Sequence, residues 1–105
     1  MSELRIKTFK RLSEYEISKV NDFLEEIGDS VVKVDSHASG SDNSYLNFVV
    51  TYKYSKYNST NSYIRVEYLG SIIKLNEFLE KIGDRFISKE ISKCSHYVTY
   101  YVPKT

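Results

Sequence analysis

Apolar and polar positions along this chain follow two periods, and each period predicts one kind of secondary structure. Alternation of apolar and polar residues predicts six strands, at residues 4–10, 30–35, 45–54, 63–69, 85–91 and 95–102. The clearest is 45–54, where Leu46, Phe48 and Val50 share one face. The stretches 36–44 and 55–62 consist almost wholly of small and polar residues, which predicts loops.

Two amphipathic helices are predicted between these strands. Their apolar stripes recur with helical spacing: Ile17, Val20, Leu24 and Ile27 in the first helix, and Ile72, Leu75, Leu79 and Ile82 in the second. Phe23 and Phe78 widen the stripes, so we expect both rings to belong to the core. Gly28 and Gly83 follow the last apolar positions and are typical helix stops.

The two halves of the chain resemble each other in sequence. Residues 20–29 read VNDFLEEIGD and residues 75–84 read LNEFLEKIGD, with seven of ten positions identical. We expect the shared Asn21 and Asn76 to make buried or capping hydrogen bonds. The repeat predicts one α+β domain over residues 1–105, built from two tandem β-α-β-β units at about 1–54 and 63–105. We expect a mainly antiparallel sheet with both helices packed on one face, and halves related by a pseudo-twofold axis.

Residues 4–54 resemble a family of very short bacterial sporulation-associated proteins. The residues that carry the resemblance are IKTF at 6–9, VNDFLEE at 20–26, VVKVDS at 31–36 and YLNFVVTYKY at 45–54. Proteins of that family are about one β-α-β-β unit long and have no assigned catalytic residues. The resemblance therefore implies a fused pair of units, which complete one another as two subunits of a dimer do.

Composition narrows the class of protein further. Fifteen Lys and Arg against fourteen Asp and Glu give a net charge of +1, without the basic excess of most nucleic-acid-binding proteins. Cys94 is the single cysteine, which excludes an intrachain disulfide and favours a reducing compartment. No apolar run is long enough for a signal peptide or a membrane span. We therefore expect a cytoplasmic protein with no membrane partner.

Residues with catalytic or metal-binding chemistry are sparse. Cys94 and His96 form a Cys-x-His pair, but zinc needs three or four ligands and His37 is the only other histidine. Residues alternating on a strand do not by themselves form a hydrogen-bonded nucleophile pair. Most carboxylates lie on helix faces among lysines, as in solvated helices. We expect no catalytic residue, no metal and no cofactor.

A set of polar and aromatic residues is predicted on the strand faces opposite the apolar ones. If both helices cover one side of a sheet, its other side stays open, and aromatic and polar residues there form a recognition surface. The candidate binding residues are Tyr45, Asn47, Tyr63, Arg65 and Tyr97. The alternative to a binding role is a purely structural one, because tyrosine is common in strands in any case.

The sequence therefore favours a small non-catalytic protein that acts by protein–protein interaction. An inhibitor of a host defence system, carried by a phage or mobile element, is one form of this hypothesis. A homodimer through an exposed sheet edge is a second partner hypothesis. The alternative is a domain that binds single-stranded nucleic acid or a nucleotide by stacking bases on the tyrosines. An enzyme with an unrecognised site is the third class.

Overall fold

The computed structural model describes residues 3–41, 44–54, 62–92 and 95–103. The elements in chain order are β1 (Glu3–Leu12), α1 (Ile17–Ile27), β2 (Val31–Ser39), β3 (Tyr45–Tyr54), β4 (Ser62–Leu69), α2 (Ile72–Ile82), β5 (Phe86–Ser92) and β6 (Ser95–Pro103). A short 3₁₀ turn precedes α1 at Glu14–Glu16, and one follows each helix, at Gly28–Ser30 and Gly83–Arg85. All eight predicted elements are thus present.

The strands form two antiparallel sheets of three strands each. The first sheet has the order β1-β3-β2, and the second has the order β4-β6-β5. Each sheet belongs to one half of the chain and has that half's helix on one face. The predicted α+β fold with two β-α-β-β units is therefore confirmed, and the strands are divided between two sheets.

The halves share packing details as well as strand order. In the first half the Phe23 ring meets Tyr52 edge-on at 5.3 Å between centroids, with 79° between the ring planes. In the second half Phe78 meets Tyr100 at 5.0 Å and 84°. Each pair joins the helix to the middle strand of its own sheet. An aromatic helix–strand contact repeated in this way is what a duplicated packing unit predicts.

The apolar side chains form two clusters of different size. The smaller one joins α2 to the second sheet through Leu69, Leu75, Ile82, Val98 and Tyr100. The larger one draws on both halves: Leu12, Ile17, Val20, Leu24, Ile27, Leu46, Phe48, Val50, Ile64, Val66 and Tyr97. Of the residues on the predicted stripes and the two rings beside them, Phe23, Phe78 and Leu79 pack against the clusters half-buried, and the buried ones are Ile17, Val20, Leu24, Ile27, Leu75 and Ile82. The predicted face of α1 is confirmed, whereas on α2 the first residue of the predicted stripe, Ile72, is 57% exposed.

The expectation of a pseudo-twofold axis is wrong, because the contact between the halves is not reciprocal. Helix α1 packs along β4, but among the described residues no comparable packing joins α2 to β1. As a result Ile64 and Val66 on β4 are 4% and 2% exposed, whereas Leu4 and Ile6 on β1 are 65% and 67% exposed. Helix α1 thus has two sheets as partners, and α2 has one.

Strand β2 is longer than its sequence predicts and runs into the predicted loop 36–44. The reason is its register against β3, in which His37 lies opposite Asn47 and Ser39 opposite Tyr45. Ladder hydrogen bonds with a well-formed neighbouring strand outweigh the low strand propensity of small polar residues. The predicted loop 55–62 lies outside the described residues except for Ser62.

The helices of the described residues are short. Both α1 and α2 have 11 residues. In the part of the chain that the structure describes, neither helix has the length and apolar character needed to cross a bilayer.

Candidate functional site

The five candidate binding residues do not share one open face. Tyr97 and Asn47 are 4% and 7% exposed, so the expectation that they belong to an uncovered surface is wrong. For Tyr97 the physical reason is that helices cover both faces of the second sheet, and for Asn47 it is a set of local hydrogen bonds within the first sheet. Helix α2 covers the face with Tyr100, and α1 packs against the face with Val66. Tyr63 and Arg65 occupy adjacent same-face positions of β4 and line one groove, and Tyr45 and Asn47 occupy such positions on β3, in the other sheet.

Asn47 connects the three strands of the first sheet near one end of the sheet. Its Oδ1 accepts a hydrogen bond from the Arg11 backbone N–H at 3.0 Å. Its Nδ2 donates to Ser39 Oγ at 2.8 Å and to the His37 carbonyl at 3.3 Å. Asn47 thereby links β1 and β2 across the middle strand, next to Arg11, whose φ is +58°. These contacts assign Asn47 a structural role.

Tyr97 belongs to the larger core cluster. Its ring lies 5.5 Å from that of Tyr68. Burial raises the pKa of Tyr97 to about 12, with smaller contributions from the charges of Glu14 and Tyr68. The residue lines a cavity of about 350 Å³ between the halves, together with Leu12, Ser13, Glu14, Tyr15, Ser44, Ser92 and Ser95. Its ring is therefore packed in the core, and it borders this cavity.

Tyr45 is partly exposed, but its ring also has local packing partners. The guanidinium carbon of Arg11 lies 5.2 Å from the ring centroid, a cation–π distance. The ring also covers Gly40, where an added Cβ would lie 2.8 Å from Tyr45 Cδ2. Gly40 has a φ of +84°, which favours glycine independently. Tyr45 is thus partly exposed, and the rest of its ring packs within the β2–β3 hairpin.

Tyr63 and Arg65 line a groove between β4 and α2, which we call the basic groove. Its volume is about 250 Å³, and its lining residues are Tyr63, Arg65, Phe78, Lys81, Ile82, Arg85, Tyr100 and Val102. β4 is an edge strand of the second sheet, and the groove lies on the face of this sheet against which α2 packs. The Phe78–Tyr100 ring pair forms part of its wall. Three cations and two phenol groups therefore converge on an apolar wall.

The cations of the basic groove are held in different ways. Arg85 Nε donates to the Ile82 carbonyl at 3.3 Å, and Arg85 Nη1 donates to the Tyr101 carbonyl at 3.4 Å. Arg65 forms a long, half-exposed ion pair with Glu67, with 3.8 Å between Nε and Oε2. Lys81 is exposed on the last turn of α2. A positive charge there is favoured by the negative end of the helix dipole.

The pKa of Tyr100 depends on charges of both signs around the groove. Burial raises the pKa of its hydroxyl and the Glu67 carboxylate raises it further, whereas Arg65 and Arg85 lower it. The groove lining therefore combines three cationic side chains with one nearby carboxylate, that of Glu67. The groove is suited to an anionic group that also offers an apolar or planar surface.

Lys81, Arg85 and Tyr100 were not among the residues identified from the sequence. A signal was nevertheless present in the repeat. Among the three positions that differ between residues 20–29 and 75–84, one reverses charge, from Glu26 to Lys81. The residue four places later changes from Ser30 to Arg85. Comparing the halves for differences, and not only for identities, would have pointed to the end of α2.

The Cys-x-His pair is only partly described by the structure. Cys94 lies outside the described residues. His96 is half-buried on β6, and its buried Nδ1 has no hydrogen-bond partner among the described residues. Within residues 3–41, 44–54, 62–92 and 95–103, no three His, Cys, Asp or Glu residues cluster as metal ligands would. The expectation that neither Cys94 nor His96 is catalytic or metal-bound stays a prediction.

Comparisons with known proteins do not place this chain. No family model matches it, and no curated protein or solved structure is significantly similar to it. The resemblance of residues 4–54 to the sporulation-associated family therefore stays a prediction.

Proposed function

We propose that this is a non-catalytic binding protein that acts by protein–protein interaction, and that the basic groove holds an acidic segment of its partner. The observation that carries the proposal is that Arg65, Lys81 and Arg85 line one groove together with the Phe78–Tyr100 pair. Arginine and tyrosine are the residue types most enriched at interface hot spots. A carboxylate beside an apolar or aromatic side chain is the ligand that this combination suits.

The groove is prepared for binding because part of it is already fixed. The two carbonyl contacts of Arg85 hold its guanidinium in place before any partner arrives. A side chain that is ordered beforehand loses less conformational entropy when a complex forms. The third cation, Lys81, is exposed and adjusts to the partner. Charges of this kind raise the association rate and select partners of opposite sign.

The difference between the halves supports a role for this surface. The first helix carries Glu26 where α2 carries Lys81, although the surrounding residues are largely identical. Core packing does not require the change, because Lys81 is exposed on α2. A charge reversal on a solvated helix face alters what the surface attracts without altering the fold.

Single-stranded nucleic acid is the second candidate, because Tyr63 and Arg65 adjoin in a groove with two further cations. Phosphates and bases are also matched by cations and aromatic rings. Burial of Tyr97 leaves fewer tyrosines for stacking than this hypothesis assumes. The net charge of +1 also favours a protein partner.

A pair of matched charge reversals tests the proposal. Lys81→Glu alters the basic groove, and Lys74→Glu makes the same change elsewhere on the exposed surface of α2. Immobilised wild-type protein and both variants are exposed to host-cell lysate, and the retained proteins are identified by mass. We expect a partner that wild type and Lys74→Glu retain and Lys81→Glu releases.

Titration of a labelled single-stranded oligonucleotide at low and high salt separates the two candidates. Tight, salt-dependent binding that Lys81→Glu removes would favour the nucleic-acid alternative. A protein partner retained equally by all three proteins would place the interaction elsewhere on the molecule. If the retained partner belongs to a host defence system, inhibition of that system becomes the biological role to examine.

A further inference from the structure

The contact between α1 and β4 combines two hydrogen bonds made by the Asn21 side chain, which we call the amide clasp, with packed apolar side chains. Asn21 Nδ2 donates to the Val66 carbonyl at 3.0 Å, and the Val66 backbone N–H donates to Asn21 Oδ1 at 2.7 Å. One side-chain amide thus satisfies both backbone groups at the free edge of β4. Beside the clasp, Ile17 and Ile64 are each 4% exposed. An edge strand that pairs with no further strand is covered in this way by a helix.

Each residue of this contact has a counterpart in the other half. Ile17 and Asn21 on α1 correspond to Ile72 and Asn76 on α2 by alignment of the two helices. The strand counterparts follow from the register, because Ile6 lies opposite Thr51 and Val66 lies opposite the equivalent Thr99. By the same register Leu4 corresponds to Ile64.

The counterparts are exposed although they carry the same chemistry. Ile72 is 57% exposed, and Leu4 and Ile6 are 65% and 67% exposed. Asn76 is exposed as well, and its side chain makes no hydrogen bond to another described residue. The α2 surface around Ile72 and Asn76, and the β1 surface around Leu4 and Ile6, are therefore the two halves of an unformed second copy of the α1–β4 contact.

We propose that a second copy of this chain completes the contact, with α2 of one molecule packing on β1 of the next. Asn76 then clasps the backbone N–H and carbonyl of Ile6 as Asn21 clasps those of Val66. Ile72 packs between Leu4 and Ile6, and removal of these side chains from water drives the association. The contact uses other residues than the basic groove and does not depend on the proposed function.

Charge at the rim agrees with this pairing. In the contact within the chain, Asp22 of α1 and Arg65 of β4 line the same groove. Their counterparts are Glu77 on α2 and Arg5 on β1, which again have opposite signs. Opposite charges at equivalent positions favour the same register in a contact between molecules.

The two surfaces differ from each other, so the association is head-to-tail. Each molecule offers one helix surface and one strand surface, and each surface engages a different neighbour. Such heterologous contacts produce closed rings or open chains of molecules, whereas a self-complementary patch produces a dimer only. This distinction gives the proposal a specific test.

The test uses two blocking variants and their mixture. Ile6→Glu blocks the strand surface and Ile72→Glu blocks the helix surface, and both side chains are exposed in the single molecule. Wild-type protein should sediment above the 12.3 kDa of one chain, increasingly so with concentration. Each variant alone should remain a single chain. Their equimolar mixture should form a complex of two chains and nothing larger, because one open surface of each kind is left.

A matched control is Ile91→Glu, which makes the same change at an exposed isoleucine of β5. It should associate as wild type does. Wild-type protein that stays a single chain at all concentrations would overturn the proposal. So would association abolished by Ile6→Glu but unchanged by Ile72→Glu, since that result indicates a self-complementary sheet contact. Thermal melts of the single variants distinguish blocked association from lost folding. If wild-type protein is a single chain and a variant melts well below it, α2 and β1 make their contact within one molecule and the proposal fails.

Discussion

Helices α1 and α2 have nearly the same sequence and different surroundings. Helix α1 packs on the first sheet through Phe23 and on β4 through Ile17 and Asn21, so it is covered on two faces. Helix α2 packs on its own sheet through Phe78, and its Ile72 and Asn76 face solvent. An apolar stripe thus encodes one packing face, and covering a second face needs a partner from elsewhere.

The largest expected difference between the helices concerns Leu24 and Leu79. Leu24 is fully buried in the shared cluster, so Leu24→Ala should lower the free energy of unfolding by about 4 kcal/mol. Leu79 is half-buried, so Leu79→Ala should cost only about 2 kcal/mol. Urea unfolding of the two variants measures both values. Equal losses would mean that α1 and α2 are covered to the same extent.

The next effect concerns the amide clasp. Asn21→Ala leaves the backbone N–H and carbonyl of Val66 without their side-chain partner in a partly buried contact, which should cost about 1–3 kcal/mol. Asn76→Ala removes an exposed side chain and should change the stability of the single molecule by less than about 0.5 kcal/mol. Chemical unfolding at low protein concentration compares them. A large loss for Asn76→Ala would show that α2 has a partner within the chain.

A smaller, pH-dependent effect concerns Tyr97, whose face is covered only because α1 lies over it. The folded pKa is raised from 10 to about 12, mainly by burial, so the folded state keeps the proton more tightly than the unfolded state. The stability that Tyr97 contributes to the folded state through this difference is fully present below pH 10 and is lost as the pH rises toward about 12.

Unfolding of wild type and Tyr97→Phe across this range measures the effect of pH. Stability of the variant should fall less steeply with pH, and the remaining slope should include Tyr100, whose pKa is also raised. Tyr101→Phe is the control, because Tyr101 is exposed. Identical slopes for wild type and Tyr97→Phe would mean that Tyr97 is open to water in the folded protein.

The candidate site was only partly accessible from sequence. Tyr63 and Arg65 were selected for their position on one strand face, and that face does border a groove. Lys81 and Arg85 join them only because α2 folds back beside β4, which no local pattern states. The prediction that Tyr97 lies on an open face is wrong, because the strand pattern indicates one covered face and α1 covers the other as well.

The sequence by itself determined the elements of each half, their order and the helix face that meets its own sheet. Those features follow from local periodicity and from the residues that end helices, so Leu24 and Ile82 could be assigned to a core without coordinates. Only the tertiary structure decided which second faces are covered. Leu4 and Ile64 occupy equivalent places in equally alternating strands, yet one is exposed and the other buried. The physical reason is that alternation defines which residues share a face, while burial requires a second surface, and α1 supplies one to β4 alone.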